Sequence, residues 1–291
     1  MNNITTLEPL YKRDTKGKLR IWEIQYGFTD DSAGTRTISG LVDGKKVTSG
    51  WNLSEAKNVG RSNATTMVTQ AASEAKSQWD IKAEKEYFKD PKDVDTYDKF
   101  KPMLAHDYTK TKVPVTEGWV QPKLDGIRCI VNKNGMWTRS GKAINSCPHI
   151  WESLQGFMEQ NPHYILDGEL YNHELKDDFN KIISLVRKTK PTAVDRVESC
   201  DLVQFHCYDL FTSNNKDFID RTLAIISLKS KYKLKFTHEV DTKVIYSETE
   251  LNKFHKQNKA NGYEGSMLRQ NKPYEQKRSY TLQKVKDWSD T

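Results

Sequence analysis

Apolar and polar residues alternate in "LRIWEIQYG", and the stretch from Leu19 to Trp51 reads as short strands. Within it "VDGKK" carries an Asp-Gly turn signal at Asp43 and Gly44. The period then changes. After Thr65 or Thr66, either of which can cap a helix, Val68, Ala71, Ala72, Ala75, Trp79 and Ala83 recur at helical spacing. These elements make a small α+β unit closing near Phe88. The polar stretch "KDPKDVDTYDKFKP", with prolines near both ends, reads as a linker.

Beyond it the pattern predicts strands at "GWVQPK" and "GIRCIVNK", an Asn-Gly turn at Asn134 and Gly135, and strands at "MWTRSGK", "YILDGELYN" and "DLVQFHCYDLF". "DDFNKIISLVRK" reads as an amphipathic helix through Phe179, Ile182, Ile183 and Val186. "RTLAIISLKSKY" and "ETELNKFHKQNKAN" read as further helices, and "GSMLR" and "TLQKVKDW" as closing strands. Strands and helices without regular β-α-β alternation argue for an α+β fold rather than a doubly wound sheet. The expected organisation is an accessory domain over residues 1–90, a linker over 91–100 and a second domain over 101–291.

Composition narrows the function class only partly. A net charge of +7, with 46 Lys+Arg against 39 Asp+Glu, is compatible with a polyanionic partner without demonstrating one. No segment has the uninterrupted apolar length of a membrane helix, and the N-terminus carries no apolar signal core. Cys129, Cys147, Cys200 and Cys207 lack the paired spacing of a zinc site and suit a reducing compartment as thiols. Cys147 and His149 are close in sequence, but two candidate ligands make no metal site.

The chemistry is concentrated in an ordered set of motifs. "KLDGIR" spans Lys123 to Arg128, followed by "RSGK" from Arg139, "LDGEL" from Leu166, "FHCYDLF" from Phe205, "EGSMLR" from Glu264 and "LQKVKDW" from Leu282; "KPMLA" precedes them at Lys101. At ordinary residue frequencies a chance match to the first motif alone is expected in well under about one chain in a hundred. The set, covering roughly Lys101 to the end, resembles the nucleotidyltransferase motifs of ATP-dependent DNA ligases. RNA ligases and mRNA-capping enzymes share those motifs more loosely. The resemblance implies an ATP-grasp-like nucleotidyltransferase domain of antiparallel sheets flanked by helices.

It also implies residue roles. Lys123 is the expected nucleophile, attacking the α-phosphate of ATP to leave AMP on the lysine. A protonated amine cannot attack, so its pKa must be lowered by burial or by cations such as Lys284 and Lys286, which would also stabilise the crowded phosphate charge. Arg128 and Arg139 are expected to hold ribose, nucleotide phosphate or the 5′-phosphate of a nick, where a guanidinium fork suits phosphate oxygens. Glu169 and Glu264 match positions that contact ribose and bind Mg²⁺ or Mn²⁺; magnesium characteristically takes one or two carboxylates with phosphates and waters. Residue type alone leaves both glutamates open to being solvated turn residues. Tyr208 matches the aromatic that stacks on adenine, Met267 the apolar group on the other base face, and Gln121 the contact to the adenine edge. Ordinary core packing is the competing account of Tyr208 and Met267. Asp167 and Asp209 read as structural, and Gly126 as a place where backbone approaches a ligand closely.

The expected activity is ATP-dependent sealing of nicked double-stranded DNA in replication, repair and recombination. The expected actor is a monomer in the cytoplasm of a bacterial or phage-infected cell. RNA ligase, capping guanylyltransferase and a non-catalytic DNA-binding scaffold are the alternatives. A scaffold need not keep Lys123, Glu169, Glu264, Lys284 and Lys286 together. Full ligases of this family continue into an oligonucleotide-binding barrel with a further basic motif, so the chain as given is expected to be a truncated form, with a proteolytic core and a natural minimal form as the alternatives. In the N-terminal part "NVGRSNATT…EAKSQW" faintly resembles Trp-Gly-Arg-type domains of DNA-repair proteins, without the namesake tryptophan. Lys57 and Arg61 are its candidate phosphate contacts.

Overall fold

A computed structural model describes every residue except 15, 85–86, 97–99, 111–113 and 287–291. Asp287 and Trp288 of the last motif therefore lie outside the described residues. The chain separates into two compact units, Met1–Lys99 and Phe100–Thr291.

The first unit holds β1 (Asn3–Thr6), β2 (Leu10–Arg13), β3 (Leu19–Phe28), β4 (Ala33–Leu41), β5 (Lys46–Thr48), β6 (Asn52–Ser54), α1 (Met67–Ala83) and α2 (Asp93–Thr96). Its six strands form one antiparallel sheet centred on β3 and β4. Alternation along β3 sends Trp22 and Ile24 into a core with Leu10, Ala75 and Trp79. Thr66 caps α1 in a capping box whose partner is Thr69, and the buried Ala71 and Ala75 let the helix lie close to the sheet. The linker stretch contains the short helix α2. Lys57 pairs with Glu74 at 3.4 Å, while Arg61 sits in an exposed turn.

The second unit runs β7 (Leu104–Asp107), β8 (Gly118–Lys123), β9 (Ile127–Asn132), β10 (Gly135–Thr138), α3 (Pro148–Gln160), β11 (Ile165–Tyr171), a 3₁₀ turn (His173–Leu175), α4 (Phe179–Val186), α5 (Ala193–Leu202), β12 (Gln204–Phe211), α6 (Phe218–Tyr232), β13 (Thr237–Glu239), β14 (Lys243–Ile245), α7 (Glu248–Ala260), β15 (Gly265–Arg269) and β16 (Arg278–Val285). They build two five-stranded sheets, ordered β10-β9-β11-β12-β13 and β14-β8-β15-β16-β7. One face of the first sheet, through Cys129, Val131, Leu166, Leu170, Phe205 and Cys207, packs against Ile150, Leu154 and Phe157 of α3 and Ile182 and Leu185 of α4. Each fully buried side chain of this kind contributes about 1.5–3 kcal/mol. The second sheet packs Val120, Leu268 and Val285 against Leu251 and Phe254 of α7. With period-2 alternation, the other faces carry the polar residues of the motifs.

The predicted strand "MWTRSGK" stops at Thr138. Arg139 and Ser140 form a turn completed by Gly141 at φ +84°. That left-handed backbone cannot continue a strand and suits glycine.

Candidate active site

Pairing register assembles the site. Across β8 and β15, Lys123 stands opposite Gly265 and Gln121 opposite Met267; across β15 and β16, Met267 stands opposite Lys284. Residues two apart share a face, so Gln121, Lys123, Met267 and Lys284 line one side of the second sheet. On the first sheet Arg128 is opposite Glu169. The β11–β12 register then slips, because Asp167 faces Asp209 while Gly168 faces Cys207. Tyr208 is the extra residue of this bulge, and a bulge re-aims side chains. Its ring comes under the guanidinium carbons of Arg269 at 5.6 Å and Arg128 at 5.9 Å.

Glu264, immediately ahead of β15, joins the lysines. Its carboxylate accepts from both Lys123 and Lys286, and its backbone N–H donates to the Lys123 carbonyl at 3.1 Å. Burial holds the Lys123 amine below the usual lysine range, opposed by the charges of Glu169 and Asp125. Lys286 is also lowered, by burial and then by the charge of Lys123. Lys284 lies 3.8 Å from Asp107.

Burial pushes Glu169 up to about 8, although Arg128 and Lys123 pull it down. The Tyr208 hydroxyl stands 3.5 Å from it. A carboxyl raised from 4.5 to about 8 gives the fold stability that is full below 4.5 and is lost as pH rises through 8. Glu169→Gln does not titrate. In metal-free buffer it is therefore expected to match wild type near pH 4.5 and to exceed it by on the order of 1–3 kcal/mol at pH 8.5. Denaturant melts at several pH values measure this, and parallel curves for the two proteins would refute it.

Several expected ligand contacts are occupied by the protein. Arg128 is gripped by Asp167 at 2.9 and 2.6 Å and donates to the Met103 carbonyl at 2.8 Å; Asp167 also accepts from Tyr274 at 2.6 Å. Gln121 is 2% exposed. Its oxygen accepts from Arg269 Nε at 2.7 Å, and its amide nitrogen lies 2.9 Å from Thr242 and 3.3 Å from the Tyr208 carbonyl. Because arginine only donates, Arg269 fixes which end of the amide faces it. The close approach permitted at Gly126 is to the chain itself: a Cβ there would meet Glu169 Cγ at 2.7 Å and the Leu170 carbonyl. Arg139 stands apart on its exposed turn, and no hydrogen bond or ion pair engages it among the described residues. Among the described residues no three His, Cys, Asp or Glu side chains gather to hold a metal ion. No described helix is long and apolar enough to cross a membrane.

Sequence reasoning left Arg221, Arg269, Thr242 and Tyr274 without roles. The arginines carry a readable signal only in their charge at otherwise apolar strand and helix positions. Asp209 accepts from Arg221 at 2.7 and 3.2 Å and from Arg269 at 2.5 Å, so the second sheet, β12 and α6 meet in one buried ionic cluster.

Comparison with known proteins finds relatives among DNA ligases. The chain is 28% identical over 238 residues to the DNA ligase of African swine fever virus, an alignment covering 77% of this chain and 53% of the viral protein. It thus spans about half the length of the curated relatives it matches. A solved Lig E DNA ligase superposes with TM-score 0.55 at 26% identity, covering 64% of this chain and 68% of the other. Chlorella virus DNA ligase-adenylate shares the fold, with TM-score 0.50 at 21% identity over 64% of this chain and 68% of that one. The model for the ATP-dependent DNA ligase domain matches residues 102–286, which hold the nucleotidyltransferase motifs from "KLDGIR" to "LQKVK", and the chain belongs to that family.

Proposed function

We propose that this chain carries the nucleotide-transfer chemistry of an ATP-dependent DNA ligase, with Lys123 as the nucleophile. The observation that carries the reading is the half-buried Lys123 amine, lowered in pKa and bridged through Glu264 to Lys286. In the first step the amine loses a proton, with Glu264 as the nearest acceptor. Its nitrogen bonds to the α-phosphorus of ATP, the bond from that phosphorus to the bridging oxygen breaks, and pyrophosphate leaves. Lys284 and Lys286 stabilise the charge on the phosphate. In the family's reaction the AMP then passes to the 5′-phosphate of a nick and is displaced by the 3′-hydroxyl.

Tyr208 and Met267 would enclose the adenine. Gln121 acts at its edge through the amide orientation that Arg269 sets. Glu169 and Glu264 would hold Mg²⁺ or Mn²⁺ jointly with phosphate oxygens, a mode that needs no all-protein cage. The ion would neutralise phosphate charge. Glu264 can serve it only by giving up a lysine, which the arriving phosphate would itself attract.

Intact mass after incubation with ATP and magnesium tests the reading. The expected result is one added AMP, mapping to Lys123. The same adduct from GTP in preference to ATP would favour a capping guanylyltransferase, and no adduct from either would remove the nucleotidyltransferase assignment.

A further inference from the structure

The two carboxylates of the site come from different sheets, and something must fix their separation. Glu169 lies in β11 of the first sheet, and Glu264 precedes β15 of the second. Two residues beyond Glu169, the buried Tyr171 hydroxyl forms a 2.7 Å hydrogen bond with His173 Nδ1. The His173 ring stacks on Tyr263, the residue next to Glu264, with centroids 4.4 Å apart and planes at 26°. A second contact lies beside it. Gly262, at φ +88°, leaves room for the Lys176 side chain, whose Cδ would stand 2.6 Å from a Cβ there. Both sides of the contact are anchored. Asn172 accepts from the Glu174 N–H at 3.0 Å and donates to the Leu202 carbonyl at 3.0 Å, and the Tyr263 N–H donates to the Asn258 carbonyl at 3.0 Å.

We propose that His173 is a positioning residue for the lysine–nucleotide reaction: Tyr171, His173 and Tyr263 form a clasp between the two sheets that holds Glu264 on Lys123 and Lys286 and sets its distance from Glu169. The proposal rests on the functional reading above. None of the three residues need touch ATP. Tyr171 packs its ring against His206 at 5.4 Å, and Tyr263 joins a small cluster with Leu124, Val240 and Tyr208. Leu124 follows the nucleophile directly, so that cluster also steadies the turn after Lys123. Loss of the clasp frees Glu264 to move relative to both lysines while leaving the base pocket of Gln121, Tyr208 and Met267 in place. Small displacements of reacting groups weigh on rate far more than on ground-state affinity.

The test separates rate from affinity on the full chain. Lysyl-AMP formation gives the maximal rate, and nucleotide titration gives the ATP Kd. H173A is expected to lower the rate by about ten- to a hundredfold while the Kd stays within about twofold. H173F keeps a ring on Tyr263 but, like Y171F, loses the hydrogen bond between residues 171 and 173, so both variants are expected to fall between H173A and wild type. Where H173A unfolds at the assay temperature, Y171F carries the test, with the same split of rate from Kd. An unchanged rate in H173A, an H173F as damaged as H173A, or rate and affinity falling in step would each overturn the clasp. A wild-type chain that never takes up AMP would overturn the parent reading, and this one with it. Normal wild-type adenylylation beside an unaffected H173A would overturn the clasp alone.

Discussion

Lys123→Ala is expected to abolish the AMP adduct, with a loss on the order of a thousandfold or more, because no neighbouring group replaces a deleted nucleophile. Lys286 is the nearest alternative amine, since it shares Glu264 with Lys123. It is the more exposed of the two and begins beyond the end of β16, so it lacks the strand that aims Lys123. Lys123→Arg is expected to fail as completely. It keeps a cation for Glu264 and so preserves the ion pair, but a guanidinium stays protonated and does not attack. The two variants together separate chemistry from electrostatics. A protein that needed only positive charge at this position would tolerate arginine. Both variants should fold, because Glu264 retains Lys286 and the backbone bond to residue 123 is independent of its side chain. Intact mass and peptide mapping read the outcome. An adduct that persists in either variant, or that maps elsewhere in the wild type, assigns the nucleophile to another residue.

Motif order and strand alternation made the shared row of Gln121, Lys123, Met267 and Lys284 legible in the sequence, because both are local. Gln121 and Lys123 lie two apart on β8, and Met267 and Arg269 two apart on β15; pairing then sets Met267 opposite both Gln121 and Lys284 of β16. What stayed hidden was non-local. Arg221 and Arg269 meet Asp209 from 12 and 60 residues away, a distance over which period and propensity carry no information. Charges normally mark solvated faces, so such residues read as surface. The helix α3 went unassigned for a different reason. Its N-cap is Cys147, which makes no side-chain capping bond, so the usual polar start signal is missing although Ile150, Leu154, Phe157 and Met158 are buried along one face. In α5 the apolar Val194 and Val197 are exposed while Ser199 is buried, which inverts the pattern a helix normally shows. The strands β13 and β14 have three residues each, too few for a period of two to register. The bulge at Tyr208 was equally unreadable, since the slip is set by its partner strand.

The buried cluster around Asp209 is where the fold is most sensitive to a single atom. Asp209 is 1% exposed and also accepts from the Leu210 N–H at 2.8 Å. Burial opposes its charge, but Arg269 and Arg221 outweigh that and hold its carboxyl below the usual range. Asp209→Ala leaves two guanidiniums with no counter-ion in the interior, an arrangement that characteristically costs about 3–5 kcal/mol. That is a large part of the roughly 5–15 kcal/mol by which a domain is stable. Asp209→Asn is nearly isosteric, yet it removes the charge and turns one acceptor into a donor facing arginine, so a loss of similar size is expected. The pH dependence has a definite sign. A carboxyl with a lowered folded pKa stabilises the protein above its unfolded pKa and loses that contribution as pH falls through the folded value. Wild type should therefore lose its advantage over Asp209→Asn on acidification. Replacing Arg221 with methionine in the Asp209→Asn background removes one orphaned cation and should recover part of the loss, which a double-mutant cycle measures. The damage should reach the site as well, because Arg269 orients Gln121 at 2.7 Å. Thermal melts at pH 7 decide the matter: Asp209→Asn melting within a degree or two of wild type would mean that the two arginines are compensated by groups other than this carboxylate.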